Sequence, residues 1–474
     1  MWRNSRGKPR RNRAYRGSGP QTCRLVDITR QDFGSDFHWG VAVSAYQIEG
    51  GWQADGKGPS IWDDFVHRPG KIARRETGDI ACDFYHRYLE DIQLLRELHI
   101  PAFRFSISWP RIFPQGRGQP NPAGVAFYHQ VIDALLAAGI EPWVTLYHWD
   151  LPLALQKEYG GWTSRKIVED FLSYAAFCAK EYGRKVRYWM VLNEPLAFTA
   201  AGYLLGVHAP GLRGIKPFLA AVHHAALVQG EGIKLLKALL PSGAWVGTTF
   251  STAPTFPYRP QNWKDQAAAR RYDALLNRLF VEPLMGLGYP VDAFPLLEEI
   301  ERRHGQPGDK ERMAARPDFI GIQNYTREVI RHHSLVPYIR GRPIPPKRRG
   351  APYQAMGWEV YPESLYLSIK LFARYDAQLP IIITENGYAA ENETTDDPHR
   401  ISYLQAALRQ VRRAQKEGFL VKGYFIWTFM DNFEWAEGYR PQFGIVYVDR
   451  KTLERRPKAS AFWYRDFLDG KATL

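Results

Sequence analysis

Residues 380–387 read PIIITENG. Four consecutive β-branched residues, Ile381 to Thr384, favour extended backbone, and the lack of polar alternation marks a strand covered on both faces. Glu385 falls where the apolar run stops, and Gly387 lets the chain turn away. Seven more runs of this kind occur: FHWGVAVSA at 37–45, AFRFSIS at 102–108, EPWVTLY at 141–147, YWMVLNE at 188–194, WVGTTFS at 245–251, FIGIQNY at 319–325 and GYFIWTFMD at 423–431. Helical periodicity fills the intervals, as in YHRYLEDIQLLRELH, AFYHQVIDALLAAG, KIVEDFLSYAAFCAKEYG, AALVQGEGIKLLKALL and ISYLQAALRQVRRAQKEG. Several of these stretches end in the glycine expected just past a helix C-terminus. Eight doubly covered strands alternating with helices predict an α/β fold, a single (β/α)₈ TIM barrel over residues 27–474.

In such a barrel the chemistry belongs at the C-terminal ends of the strands. Polar and aromatic residues collect there: Tyr46 and Gln47, Arg104, His148 and Trp149, Asn193 and Glu194, Asn324 and Tyr325, Glu385 and Asn386, then Trp427 and Asp431. Pro195 follows Glu194 and biases it toward an extended backbone. A single glutamate at a strand end is as readily a solvated residue or a helix cap. Two that face one pocket from the fourth and seventh strands are what glycosidic bond cleavage requires, one acid to protonate the leaving oxygen and one carboxylate to attack or to activate water.

Composition limits the alternatives. The chain has 474 residues, 45% of them hydrophobic and 14% aromatic, enough for a large core. Its formal net charge of +14 is concentrated, since residues 1–26 hold eight Lys or Arg and no acid. That tail, rich in Arg, Asn, Gly and Ser, is expected to be disordered. The mild charge of the remainder and the absence of a recognition motif speak against nucleic acid as a partner. No apolar stretch has the length of a membrane span or of a secretory signal, so the expected location is cytoplasmic, with no membrane partner. Cys23, Cys82 and Cys178 are too few and too scattered for a disulfide framework or a zinc cluster, and Cys178 reads as a small buried hydrophobe on its helix. No metal and no organic cofactor is expected.

FHWGVAVSAYQIEG, FRFSISWPRI, LYHWDLP, LNEP, ITENG, DNFEWAEGYRPQFGIVYVD and the closing RRPKASAFWY occur in that order, and together they resemble glycoside hydrolase family 1 from about Phe33 to Leu468. The resemblance implies a retaining β-glycosidase of the β-glucosidase type, acting on terminal β-D-glucosyl residues and extending to β-D-fucosides or β-D-galactosides, through a covalent glycosyl-enzyme. It assigns Glu194 as acid/base and Glu385 as nucleophile, with Arg104 and Tyr325 hydrogen-bonded to Glu385. Retention calls for carboxyl groups about 5 to 5.5 Å apart. The substrate implied is a small or oligomeric β-glycoside. The sequence gives no oligomeric state.

A sugar needs paired donors and acceptors for its hydroxyls and aromatic rings for its apolar face. The same resemblance gives Gln47, His148, Asn193 and Glu434 to the glycone hydroxyls, Trp427 to the floor, Trp149, Trp435 and Phe443 to the lining, and Trp358 to a stacking platform for the aglycone. For Trp149 and Phe443 core packing is nearly as good a reading. A carboxylate at 434 accepts neutral hydroxyls and repels phosphate, which argues against 6-phosphoglycosides. The chain departs from the family's Asn-Tyr-Tyr after the sixth strand, reading Gln323, Asn324 and Tyr325, so Gln323 stays outside the catalytic set and an effect on glycone preference or on the holding of the nucleophile is expected. Residues 327–350 hold seven Lys or Arg, one Glu and four prolines, and read as a stiff exposed loop. Arg348 and Arg349 there raise the idea of an anionic aglycone, against the plainer reading of a solvated basic loop. The alternative to an enzyme is a catalytically inactive carbohydrate-binding barrel on the same fold.

Overall fold

The computed structural model describes residues 27–392 and 395–474. The basic segment 1–26, with Cys23, lies outside the described residues. Eight parallel strands close into a barrel: His38–Ala42, Ala102–Ser106, Glu141–Tyr147, Tyr188–Asn193, Trp245–Thr252, Phe319–Asn324, Ile381–Asn386 and Val421–Trp427, here called the first to eighth strands. Each pairs with its neighbours in sequence, and the first closes on the eighth, His38 against Gly423 through Ala42 against Trp427. The eight strands coincide with the eight apolar runs, with ends differing by a few residues.

The barrel interior is filled rather than hollow. Trp143 and Tyr188 stack with centroids 4.0 Å apart and planes 2° from parallel, and Phe425 packs on Trp143 at 4.8 Å. Phe425 is admitted because Gly40 faces it: a β-carbon at Gly40 would lie 2.5 Å from the Phe425 ring and 2.6 Å from the Ala102 carbonyl oxygen. This aromatic plug at the lower end forms the platform above which the strand-end polar residues gather.

Helices cover the outside, several of them through one apolar stripe. In Lys166–Tyr182 the buried residues Ile167, Phe171, Tyr174, Cys178 and Tyr182 recur at three- and four-residue spacing, so one face of the helix is apolar. Cys178 is a buried free thiol there, as its surroundings in the sequence suggested. Helix Ile215–Leu239 is buried along most of its length, and helix Pro398–Lys416 buries a stripe through Tyr403, Leu404, Ala407, Leu408 and Val411. No helix among the described residues is long and apolar enough to cross a membrane.

Residues 327–350 are more ordered than a plain exposed loop. Glu328–His332 pairs in parallel with Thr255–Pro257 and antiparallel with Gly341–Pro343, and Pro346–Arg349 forms a helical turn. Ile330 packs on Ala268 and Ala269 of helix Trp263–Asp273. Val329 and Ile330 of the first of these strands are buried and Arg331 is exposed, a pattern that the charge count of the segment conceals.

Candidate active site

Over the C-terminal mouth of the barrel lies a cavity of about 580 Å³ lined by His148, Trp149, Glu194, Gln323, Tyr325, Trp358, Glu385, Trp427, Glu434, Trp435 and Phe443, with Thr252, Met356, Val207 and His208. Ten of the thirteen site residues expected from the sequence therefore line one pocket. The other three, Gln47, Arg104 and Asn193, are fully buried behind it and hydrogen-bond to lining side chains.

Glu194 does not continue its strand. The fourth strand ends at Asn193, and Glu194 takes φ 46° and ψ 66°, the left-handed region, as Pro195 starts a short helix, Pro195–Thr199. The extended backbone expected before proline is overridden, because the Glu194 N–H donates to the Thr249 carbonyl at 3.0 Å while the helix begins at the next residue. A glutamate held there is backbone strain at the edge of a pocket. Glu385, by contrast, stays in the extended seventh strand.

The two carboxyl groups differ in their partners. Glu385 accepts from Arg104 Nη1 at 2.6 Å and Gln323 Nε2 at 2.8 Å on Oε1, and from the Tyr325 hydroxyl at 2.8 Å on Oε2. Burial lifts its pKa, and the Arg104 charge with the hydrogen bonds from Arg104 and Tyr325 draws it back. Glu194 has no such cation in contact. Burial first, and the charge of Glu385 second, push it well above the ordinary carboxylate range. Both groups are raised, Glu194 further, which favours the proton on Glu194 and the negative charge on Glu385.

Asn193 organises the next layer. Its Oδ1 accepts from Arg104 Nη2 at 2.5 Å, Gln323 Nε2 at 2.7 Å and Thr249 Oγ1 at 3.0 Å, which leaves its amide Nδ2 to donate to His148 Nε2 at 3.0 Å. With Nε2 accepting, the proton of a neutral His148 sits on Nδ1, an atom that has no partner among the described residues. Burial and the nearby Arg104 hold His148 well below the usual histidine range, in keeping with a neutral ring.

On the opposite wall Gln47 Nε2 donates to the Phe433 carbonyl at 2.8 Å and reaches Glu434 Oε2 at 3.3 Å, while Ser44 donates to its Oε1 at 2.6 Å. Burial, then the charge of Glu385, raise Glu434 to about 8. Among the described residues neither Glu434 Oε1 nor Gln323 Oε1, both buried, has a hydrogen-bond partner. Trp435 anchors the aromatic wall, 4.6 Å from Trp149, stacked on Tyr46 at 5.9 Å and on His148 at 6.0 Å. Trp358 and Phe443 flank Tyr325 at 5.2 and 5.7 Å. The pocket thus offers unpaired buried acceptors and a donor beside indole faces, the chemistry of a polyhydroxylated ring.

Sequence reasoning left Gln323 out, and it proves to touch Glu385 directly. The signal was the departure at that strand end, read as a perturbation rather than as a ligand of the carboxylate. Val207, His208 and Met356 lie in connections between elements, where no strand-end rule points to them. Arg349 does not face the pocket: it pairs with Glu359 at 2.7 Å, alongside the bidentate Arg327 pair at 2.9 and 3.0 Å, and Arg348 is exposed outside the lining. Among the described residues no cluster of metal-ligating side chains occurs.

A closed (β/α)₈ barrel with paired, differently held glutamates in a pocket built for hydroxylated rings defines a class, the barrel glycosidases. The sequence pattern described as glycosyl hydrolase family 1 matches residues 29–472, and the chain belongs to that family, whose members are retaining. It is similar to beta-glucosidase A of Acetivibrio thermocellus, with 39% identity over 449 residues covering 93% of this chain and 99% of the relative. Beta-glucosidase A of Thermotoga maritima is 40% identical over 441 residues, covering 91% and 96%. The solved structure of a family 1 β-glucosidase from Thermotoga maritima superposes with a TM-score of 0.89 at 37% identity, covering 95% of this chain and 99% of that one.

Proposed function

We propose that the chain is a retaining β-glucosidase in which Glu385 is the nucleophile and Glu194 the acid/base. The observation that carries the assignment is the asymmetry of the two carboxyl groups: Glu385 takes hydrogen bonds from Arg104, Gln323 and Tyr325, whereas burial and the Glu385 charge keep the proton on Glu194. In the first step Glu385 attacks the anomeric carbon as Glu194 gives its proton to the departing glycosidic oxygen. Esterification removes the charge of Glu385, so the pKa of Glu194 falls and it accepts a proton from the incoming water, which displaces Glu385 and restores both groups. Gln47, His148, Asn193 and Glu434 bind glycone hydroxyls, Trp427, Trp149, Trp435 and Phe443 enclose the ring, and Trp358 meets the aglycone.

Glucosides lead this reading, in keeping with Glu434 Oε1 and His148 Nδ1, which are unpaired among the described residues and open to neutral hydroxyls; β-D-galactosides and β-D-fucosides are included as secondary substrates. A phosphate on the sugar meets the Glu434 carboxyl, which offers it no positive charge and repels it wherever ionised, and is disfavoured. A cytoplasmic location belongs to the same proposal, supported by Cys82 and Cys178 remaining free thiols. The test compares initial rates on p-nitrophenyl β-D-glucoside, β-D-galactoside, β-D-fucoside and 6-phospho-β-D-glucoside, with Glu385→Gln beside the wild type. Turnover of the neutral glycosides that the substitution abolishes supports the proposal. Preference for the phosphorylated sugar defeats the reading of Glu434, and an inert wild type favours a carbohydrate-binding barrel.

A further inference from the structure

We infer that Gln323 is a positioning and specificity residue whose side-chain amide reads the sugar's 2-hydroxyl while fixing the nucleophile. The inference rests on the glucosidase reading above and adds to it a residue-level determinant.

The orientation of the amide is set by its surroundings. Nε2 lies within 2.8 Å of Glu385 Oε1, 2.7 Å of Asn193 Oδ1 and 3.2 Å of Thr249 Oγ1. The first two atoms only accept, because Asn193 Oδ1 already receives Arg104, so the reverse orientation would press an amide oxygen against a carboxylate. Gln323 Oε1 is thereby left as an acceptor, buried, in a residue that lines the pocket, with no donor among the described residues. An unpaired buried acceptor costs stability, and a ligand hydroxyl that donates to it recovers that cost.

Chemistry selects which hydroxyl. A reacting anomeric carbon sits about 3 to 3.5 Å from a Glu385 oxygen. Of its two ring neighbours one is the ring oxygen, which carries no hydrogen, and the other is C2, which carries a hydroxyl. Gln323 touches the nucleophile with one amide atom, so its other amide atom is within reach of the carbon adjacent to the reacting one. The same Nε2 joins Glu385 to Asn193, so filling Oε1 steadies both residues at once. Gln323 therefore passes recognition at C2 to the carboxylate that attacks.

The experiment compares kcat/KM for p-nitrophenyl β-D-glucoside and its 2-deoxy counterpart across pH, for wild type, Gln323→Met and Gln323→Asn. Met keeps the length and loses both hydrogen-bonding atoms; Asn keeps the amide and is one methylene shorter. The expected result is a glucoside-to-2-deoxyglucoside ratio about tenfold or more lower in Gln323→Met than in wild type, with Gln323→Asn between them, as for loss of a hydrogen bond in a buried site. The acid limb of kcat/KM moves up by about one pH unit in Gln323→Met, because Glu385 loses a donor to its charged form. If Gln323→Met folds poorly, the Asn variant carries the same comparison with a smaller shift. An unchanged ratio together with an unmoved acid limb in the variants, beside an active wild type, overturns this inference alone. A wild type inert on the glucoside overturns the glucosidase reading and this inference with it.

Discussion

Arg104 and Glu385 form a buried ion pair, Nη1 to Oε1 at 2.6 Å, with the guanidinium fully enclosed. Such a pair is expensive to break from one side, because the remaining charge is left in a poorly polar environment. Arg104→Met is expected to lower kcat/KM at least about a hundredfold and to move the acid limb of the pH profile upward, since Glu385 loses the cation that favours its charged form. Initial rates from pH 4 to 9 check both effects; an unmoved acid limb counts against Arg104 as the group that keeps Glu385 ionised.

Glu194 has its pKa pushed up by burial and by Glu385. In the proposed mechanism glycosylation needs it protonated, so the rate on substrates with poor leaving groups is expected to fall as pH rises through that raised pKa. Glu194→Gln is expected to abolish this alkaline limb and to spare 2,4-dinitrophenyl β-D-glucoside, whose leaving group departs without a proton. Azide, which needs no general base, should then accelerate turnover and yield the β-glycosyl azide. An α-azide, or no acceleration, would count against the assignment.

Glu434 sits at about 8 through burial and the charge of Glu385. A carboxyl whose folded pKa lies above its unfolded value holds more protons in the native state between the two, so stability falls as pH rises through that window, from about 4.5 to about 8. Glu434→Gln removes this penalty. Its melting temperature should match wild type near pH 4.5 and exceed it by roughly a few degrees at pH 8, while affinity for glucosides drops. Calorimetry at the two pH values tests the sign, and equal melting differences at both would refute it.

Glu359 binds Arg327 and Arg349 at once, next to Trp358. Glu359→Ala leaves two cations without their shared partner and is expected to cost about 1 to 3 kcal/mol of stability and to raise KM for aryl glucosides more than it changes kcat. Arg348→Ser, in an exposed position, should leave kinetics on anionic and neutral aglycones alike within about twofold. A selective loss on anionic aglycones in Arg348→Ser would restore the idea of an acidic leaving group.

The barrel was legible because every strand carries its own signature of β-branched and aromatic residues, and because burial on both faces removes polar alternation. Glu194 and Glu385 were legible for the same reason, since each ends such a run. Less was readable where side chains reach across strands. That Gln323 would donate to both Asn193 and Glu385 depends on the register of the sixth strand between the fifth and the seventh, which no local pattern reveals. The left-handed turn at Glu194 was hidden because Pro195 speaks only about one energetic preference, and a hydrogen bond to Thr249 outweighed it. Arg349 looked free because sequence shows its charge and conceals Glu359, ten residues on.

The first and eighth strands meet at the seam that closes the barrel, and Gln47 and Glu434 face each other just above it. Residues from near the two ends of the described chain thus meet at one end of the pocket, Glu434 lining it and Gln47 behind it. A sugar bound to Glu434 as proposed engages a side chain tied to Gln47, and so adds a link across that seam.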